Sequence, residues 1–200
     1  FADTICGWCF IGQTKLNKAL KNFPKTKFEI EHIPFQLNPD MPQEGIERDQ
    51  YLKIKFGGKE LAQPMYDRMI EEANKEDLNF KLDDIKITPN TIFSHLLIRL
   101  AQQTNVQNEI KEKIYQSYFV EGLDIGNKEV LIKIGKDFNI KKDIINNFFN
   151  SDNIEEVNSY IPIAKEKQIN GVPFFEIGKN VVSGAQSSTN LENVIKANLD

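Results

Sequence analysis

Between Lys27 and Ile33 polar and apolar residues alternate one for one, the period of a strand with one buried face. Upstream, Leu16, Ala19, Leu20 and Phe23 recur at helical spacing within residues 13–23, and Pro24 stops that helix. From about Arg48 to Lys167 the pattern is helical almost throughout. It predicts helices over Arg48–Phe56, Lys59–Glu72, Asn90–Gln103, Val106–Val120, Lys128–Phe138, Lys142–Phe149 and Ile154–Lys167, with a kink or break at Pro162 in the last. Gly57-Gly58, Pro89-Asn90, Gly122, Gly126 and Gly135 mark the turns between them. The tail changes again: Pro173–Ile177 and Val181–Ser183 read as strands of a hairpin around Gly178-Lys179-Asn180. Ser187 or Ser188 then caps a final helix whose apolar face holds Leu191, Val194, Ile195 and Leu199. The order predicts an α/β domain made of residues 1–44 and 160–200, split by an all-helical insertion over residues 45–159.

Composition narrows the classes of function. The 200 residues are 40% hydrophobic and include fourteen Phe, enough for a substantial core. No run approaches the roughly eighteen apolar residues of a membrane span. With a net charge of -4 and no basic stripe, the chain carries no footprint for nucleic acid. Two cysteines do not make a disulfide-stapled secreted protein, and no signal peptide is visible, so a cytoplasmic location is expected. The chain starts at Phe1 without a methionine, which keeps a periplasmic location open.

Those two cysteines, Cys6 and Cys9, are the chemical signal. In a Cys-x-x-Cys at a helix start, the first sulfur sits beside free backbone N–H groups and the positive end of the helix dipole. The Cys6 thiol is therefore expected below the ordinary thiol range, as a nucleophile for thiol–disulfide exchange, with Cys9 one turn in and more buried as the resolving thiol. The Gly7 N–H can point at the Cys6 sulfur, and Trp8 can offer an apolar ring to a substrate. A zinc site would need further ligands, and His32 and His95 are distant in sequence from the pair and from each other. No metal and no bound cofactor are expected. Two inert buried thiols would need neither this spacing nor the intervening tryptophan.

A second signal is Gly171-Val172-Pro173. Proline at the head of an apparent core strand is tolerated as a first residue. The sharper reading is a cis Val172–Pro173 bond facing the cysteines, leaving the Val172 backbone to pair with an extended peptide.

Together these elements resemble the thioredoxin fold, and with the helical insertion the DsbA-like group. More specifically the chain is similar to the FrnE-like branch, near the 2-hydroxychromene-2-carboxylate isomerases and kappa-class glutathione transferases. The resemblance rests on Asp3-x-x-Cys6-x-Trp8-Cys9-Phe10-Ile11-Gly12, Phe35-x-Leu37-x-Pro39-Asp40-Met41-Pro42 and Asn90-Thr91-x-x-x-His95. It continues through Tyr118-Phe119-x-Glu121-Gly122-x-Asp124-Ile125, Gly171-Val172-Pro173-x-Phe175 and Val182-Ser183-Gly184-Ala185-Gln186. It implies a thiol–disulfide oxidoreductase with Cys6 and Cys9 catalytic and Trp8, Val172, Pro173, His95 and Gln186 near the substrate. Its partners would be a dithiol or disulfide protein, a peptide or a small thiol, together with a redox partner; glutathione as co-substrate and a homodimer stay open.

Two departures stand out. Gly7 replaces the proline usual in the branch, and the family's strand ahead of Asp3 is represented only by Phe1-Ala2, so a first strand is expected to be missing from this sequence. Two rival readings remain. One is a glutathione-dependent isomerase or transferase, although those relatives carry serine in place of the first cysteine. The other is a peptide-binding or chaperone-like module without turnover. Asp3 is read chiefly as a structural or loop-orienting residue, and His32 as structural.

Overall fold

The computed structural model describes residues 1–199. Helix α1 (Gly7–Leu20) begins directly at the cysteine motif. The helical block follows: α2 (Arg48–Phe56), α3 (Lys59–Asn74), α4 (Ile92–Gln102), α5 (Gln107–Phe119), α6 (Lys128–Asp137), α7 (Lys142–Phe148), α8 (Ser151–Asn158) and α9 (Tyr160–Glu166). Two-residue strands β1 (Ile46–Glu47) and β2 (Ile87–Thr88) pair antiparallel and tie its first part together. The tail is the hairpin β3 (Phe174–Ile177) and β4 (Asn180–Ser183), then α10 (Ser188–Lys196).

Where sequence and structure differ, local causes are visible. The break expected at Pro162 falls at Ser159, between α8 and α9. Proline cannot donate to the carbonyl four residues back and its ring crowds it, so the helix restarts with Pro162 in its first turn. Asn180 lies in β4 rather than in the turn, pairing with Ile177. That leaves Gly178 and Lys179 as a two-residue loop, and the φ of +58° at Gly178 is one a side chain would strain. Leu199, expected on the buried face of the last helix, is 49% exposed, while Leu191 and Ile195 are buried.

Residues 27–33 form no ladder. Their only sheet-like links are at the end, where a parallel bridge joins Ala2 to Pro34, the Ala2 N–H donates to Ile33 O (3.2 Å) and the Phe35 N–H to Ala2 O (3.0 Å). Alternation gives this segment one apolar face, but a strand also needs a neighbour at hydrogen-bonding distance, and among the described residues that neighbour is Ala2. A cavity of about 580 Å³ opens between residues 28–33 and β3, floored by Leu16 and Leu20 of α1.

The main core runs without a break from Cys6, Cys9, Phe10 and Ile11 into Leu96, Leu97, Ile110, Ile114, Tyr115 and Leu131 of the helical block. A smaller core holds Ala19, Val182, Leu191 and Ile195, joining α1, the hairpin and α10. Helix α1 belongs to both, so the cysteines at its N-terminus are held on a rigid element.

Candidate active site

Cys6 is the N-cap of α1. Its backbone is extended (φ -95°, ψ 106°) and its sulfur accepts a hydrogen bond from the Cys9 N–H at 3.3 Å, the role a serine or aspartate oxygen fills elsewhere. The Cys9 N–H therefore takes the position expected for that of Gly7. The Cys6 S–H in turn lies 3.5 Å from the carbonyl oxygen of Val172, to which it donates. Both thiols are free; Cys6 is 7% exposed and Cys9 1%.

The Val172–Pro173 bond is cis. Pro173 is buried against α1, where Gly12 leaves room for its ring: a β-carbon at Gly12 would stand 2.8 Å from Pro173 Cγ. The Val172 N–H has no hydrogen-bond partner among the described residues. Trp8 is half-buried and packs on the edge of the main core.

The helical block fixes the loop that carries the pair. Thr4 Oγ1 and Ser94 Oγ are 2.7 Å apart, Tyr115 donates its hydroxyl to the Asp3 carbonyl (3.3 Å), and the Asp3 carboxylate meets His95 Nε2 at 3.2 Å. The other Asp3 oxygen accepts the Leu37 N–H at 2.7 Å. His95, expected near the substrate, is only 3% exposed and orients Asp3 through this buried pairing. Gln186 is exposed and its amide turns back to the Ser183 carbonyl (3.0 Å), with no hydrogen bond to the cysteines.

The electrostatics reverse one expectation. The Cys6 thiol is pushed above the ordinary thiol range, first by its hydrogen bond with the Cys9 side chain and then by burial and the charges of Cys9 and Asp3. The Cys9 amide pulls the other way. A single N–H and the helix end do not outweigh the hydrogen bond with the Cys9 side chain and the cost of burying a thiolate.

Sequence reasoning missed Lys111. It is 6% exposed on α5 and lines the same cavity as Cys9. Its ammonium donates to His32 Nδ1 at 2.8 Å and lies 5.8 Å from the centre of the Tyr115 ring. Burial lowers it to about 8. His32, whose Nε2 meets Asn108 Oδ1 at 2.6 Å, is lowered to about 3 by burial and by Lys111. The signal in the sequence was the helical spacing of Lys111, Tyr115 and Tyr118, which puts the lysine on the face of two buried aromatics.

Among the described residues no cluster of His, Cys, Asp or Glu could hold a metal, and no helix is long and apolar enough to cross a membrane.

Residues 1–196 match the family described as the DSBA-like thioredoxin domain. The chain belongs to that family. Its members act on thiol or disulfide substrates, which points to disulfide oxidoreductase or isomerase chemistry. The chain is 22% identical to YwbO of Bacillus subtilis (strain 168), over 98% of this chain and 93% of that one. The crystal structure of a probable DsbA oxidoreductase from Streptomyces coelicolor shares the fold with a TM-score of 0.86 at 23% identity, covering 99% of this chain and 87% of the other. Cytosolic disulfide reductase DsbM from Pseudomonas aeruginosa, solved with GSH, is similar with a TM-score of 0.67 at 13% identity, over 98% and 96% of the two chains.

Proposed function

We propose that the protein is a thiol–disulfide oxidoreductase of the FrnE-like kind that works in the reducing direction through Cys6 and Cys9. The observation that carries this reading is the N-cap placement of the Cys6 sulfur, beside the Val172 carbonyl and one helical turn from Cys9. In the forward step the Cys6 thiolate attacks a substrate disulfide, forming a mixed disulfide and releasing one substrate thiolate, which takes a proton from water. Cys9, as thiolate, then attacks the Cys6 sulfur; the Cys6–Cys9 disulfide forms and the second substrate thiol leaves. The substrate gains two electrons and the pair loses two, to be restored by an external dithiol or two equivalents of a thiol such as glutathione.

The direction follows from the thiolate. Strong oxidants of this fold class owe their potential to a stabilised thiolate in the reduced form. Here the hydrogen bond with the Cys9 side chain and then burial raise the Cys6 thiol, which keeps its proton. That favours the dithiol as electron donor, in keeping with the reductase DsbM among the structural relatives, and a reductase of this kind suits the cytoplasm. The Val172 N–H and carbonyl offer main-chain pairing to an extended substrate peptide, with Trp8 as an apolar contact.

The test is dithiothreitol-driven reduction of insulin. Wild-type protein is expected to accelerate it, Cys6→Ser to abolish it, and Cys9→Ser to accumulate a mixed disulfide. The potential of the pair is expected nearer about -270 mV than about -120 mV. Activity surviving in Cys6→Ser defeats the reading. Turnover of glutathione on an electrophile without dithiol activity would instead favour an isomerase or transferase.

A further inference from the structure

Asn170-Gly171, directly ahead of Val172, is the only Asn-Gly step in the sequence. An asparagine followed by glycine carries its own reaction, attack of the next backbone nitrogen on the side-chain amide carbon. Glycine has no β-carbon to hinder that approach and lets the main chain reach the conformation it needs. Regular structure normally forbids the reaction, because the attacking nitrogen is bonded into a helix or a ladder.

Here nothing restrains it. Asn170 and Gly171 are exposed and lie between α9 and β3, flanked by the buried residues Ile169 and Pro173. The N–H groups of Asn170, Gly171 and Val172 have no hydrogen-bond partner among the described residues. A β-carbon at Gly171 would meet no atom within 4 Å, so the attacking nitrogen is uncrowded. The Asn170 side chain is held by one exposed bond, its Nδ2 donating to the Gln168 carbonyl at 3.2 Å, which water can replace. The two Asn-Ser steps are placed differently. Asn150 caps α8, its Oδ1 accepting the Asn153 N–H (3.0 Å) and its Nδ2 donating to the Asn147 carbonyl (2.8 Å). Asn158 ends α8, and the Ser159 N–H is bonded to the Glu155 carbonyl (2.9 Å).

We propose that Asn170-Gly171 is a self-modification site, at which residue 170 converts to aspartate or isoaspartate and displaces the Val172 carbonyl from Cys6. The Gly171 N–H gives its proton to base and the nitrogen bonds Asn170 Cγ. The Cγ–Nδ2 bond breaks, ammonia leaves, and a five-membered cyclic imide remains. Water then opens the imide without any transfer of electrons. Opening at the side-chain carbonyl restores the main chain with a carboxylate at residue 170. Opening at the main-chain carbonyl gives isoaspartate, whose chain runs through Cβ and Cγ and is one backbone atom longer. Ile169 is fixed by burial, and Pro173 by its packing on Gly12 and by the bond from the Gly184 N–H to its carbonyl (2.8 Å). Residues 170–172 must therefore take up the extra atom, and the Val172 carbonyl among them accepts the Cys6 S–H at 3.5 Å. The effect on activity rests on the oxidoreductase reading; the chemistry at Asn170 does not.

The test incubates the full chain in mildly alkaline buffer with dithiothreitol, which keeps both cysteines reduced. Mass spectrometry of digests follows each asparagine, and protein isoaspartate methyltransferase counts isoaspartate. The peptide holding Asn170 is expected to change from amide to acid while those holding Asn150 and Asn158 keep their amides. Gly171→Ala should react at least about fivefold more slowly, and Asn170→Gln should not form the imide. Insulin reduction should fall in step with isoaspartate, by about tenfold in the protein that contains it. Asn170→Gln should begin at the parent's activity and keep it. An intact Asn170 in the folded chain, after the same chain in urea has reacted, would overturn the site. Isoaspartate-containing protein as active as fresh protein would overturn its link to the Val172 carbonyl. Failure of fresh wild-type protein to reduce insulin would defeat the oxidoreductase reading instead, while leaving the mass measurement intact.

Discussion

Gly12→Ala tests how tightly the cysteine helix and the cis-proline loop are fitted together. The added β-carbon would meet Pro173 Cγ at 2.8 Å, Phe175 Cζ at 3.2 Å and Pro173 Cβ at 3.4 Å. Carbon atoms are comfortable at about 3.5–4.0 Å, so the proline ring must retreat by roughly 0.7 Å. It has little freedom to do so. Its carbonyl holds the Gly184 N–H at 2.8 Å, and the preceding carbonyl receives the Cys6 S–H. Overpacking of this kind costs about 1–3 kcal/mol, against about 1 kcal/mol gained from alanine's better helix propensity. The net expectation is a loss of about 1 kcal/mol, or about 3 °C in Tm for a chain of this size. Displacing the Val172 carbonyl from Cys6 should also lower kcat/KM for insulin reduction by about tenfold. Denaturant unfolding and the reduction assay measure the two effects. The sign is diagnostic, because Gly→Ala at an open helical position stabilises. If Gly12→Ala is as stable as wild type and as active, the close packing of α1 on Pro173 does not govern the site.

Other outcomes follow from the same geometry. With the Cys6 thiol raised, thiolate appears only as pH climbs, so the insulin-reduction rate should rise through the neutral range; Asp3→Asn, by removing a charge that opposes the thiolate, should move that profile to lower pH, and an unmoved profile would count against the assignment. Lys15 bonds Glu72 (3.3 Å) and the Ala185 carbonyl (3.5 Å) while only 8% exposed, so Lys15→Met should lower stability by about 1–2 kcal/mol in urea unfolding; an unchanged midpoint would show the clamp to be idle. Trp8, half-buried between the cysteines, should change emission between dithiol and disulfide forms, and superimposable spectra would place its ring away from the sulfurs.

Much of this fold was legible because helices announce themselves over several turns. Arg48–Phe56 was readable to the residue, and the other helices of the block to within a few. What local pattern could not carry was anything that depends on a neighbour. Residues 27–33 alternate as a strand should, yet form no ladder, because alternation specifies a face and says nothing about who stands beside it. The cysteine pair and the Val172-Pro173 loop were both visible as motifs, but the ionisation of Cys6 was not. The helix end is a sequence-local feature that lowers a thiol's pKa, whereas the hydrogen bond with the Cys9 side chain and then burial, which is tertiary, act in the opposite direction. His95 and Lys111 show the same limit from two sides. The histidine looked like a site residue and is occupied by Asp3; the lysine looked like one charge in a charged helix and is buried behind Cys9.

That exchange says what the helical block is for. The sulfurs sit at the start of α1 and the Val172 carbonyl in the loop before β3, but the side chains that brace the loop at Thr4 and Asp3 come from α4 and α5. Ser94 and His95 hold the loop at Thr4 and Asp3, Tyr115 holds the Asp3 carbonyl, and Lys111 shares the cavity of Cys9. Because those contacts are buried and continuous with one core, shifting either helix would alter the placement of both cysteines. The placement of the pair thus depends on the packing of α1 against α4 and α5.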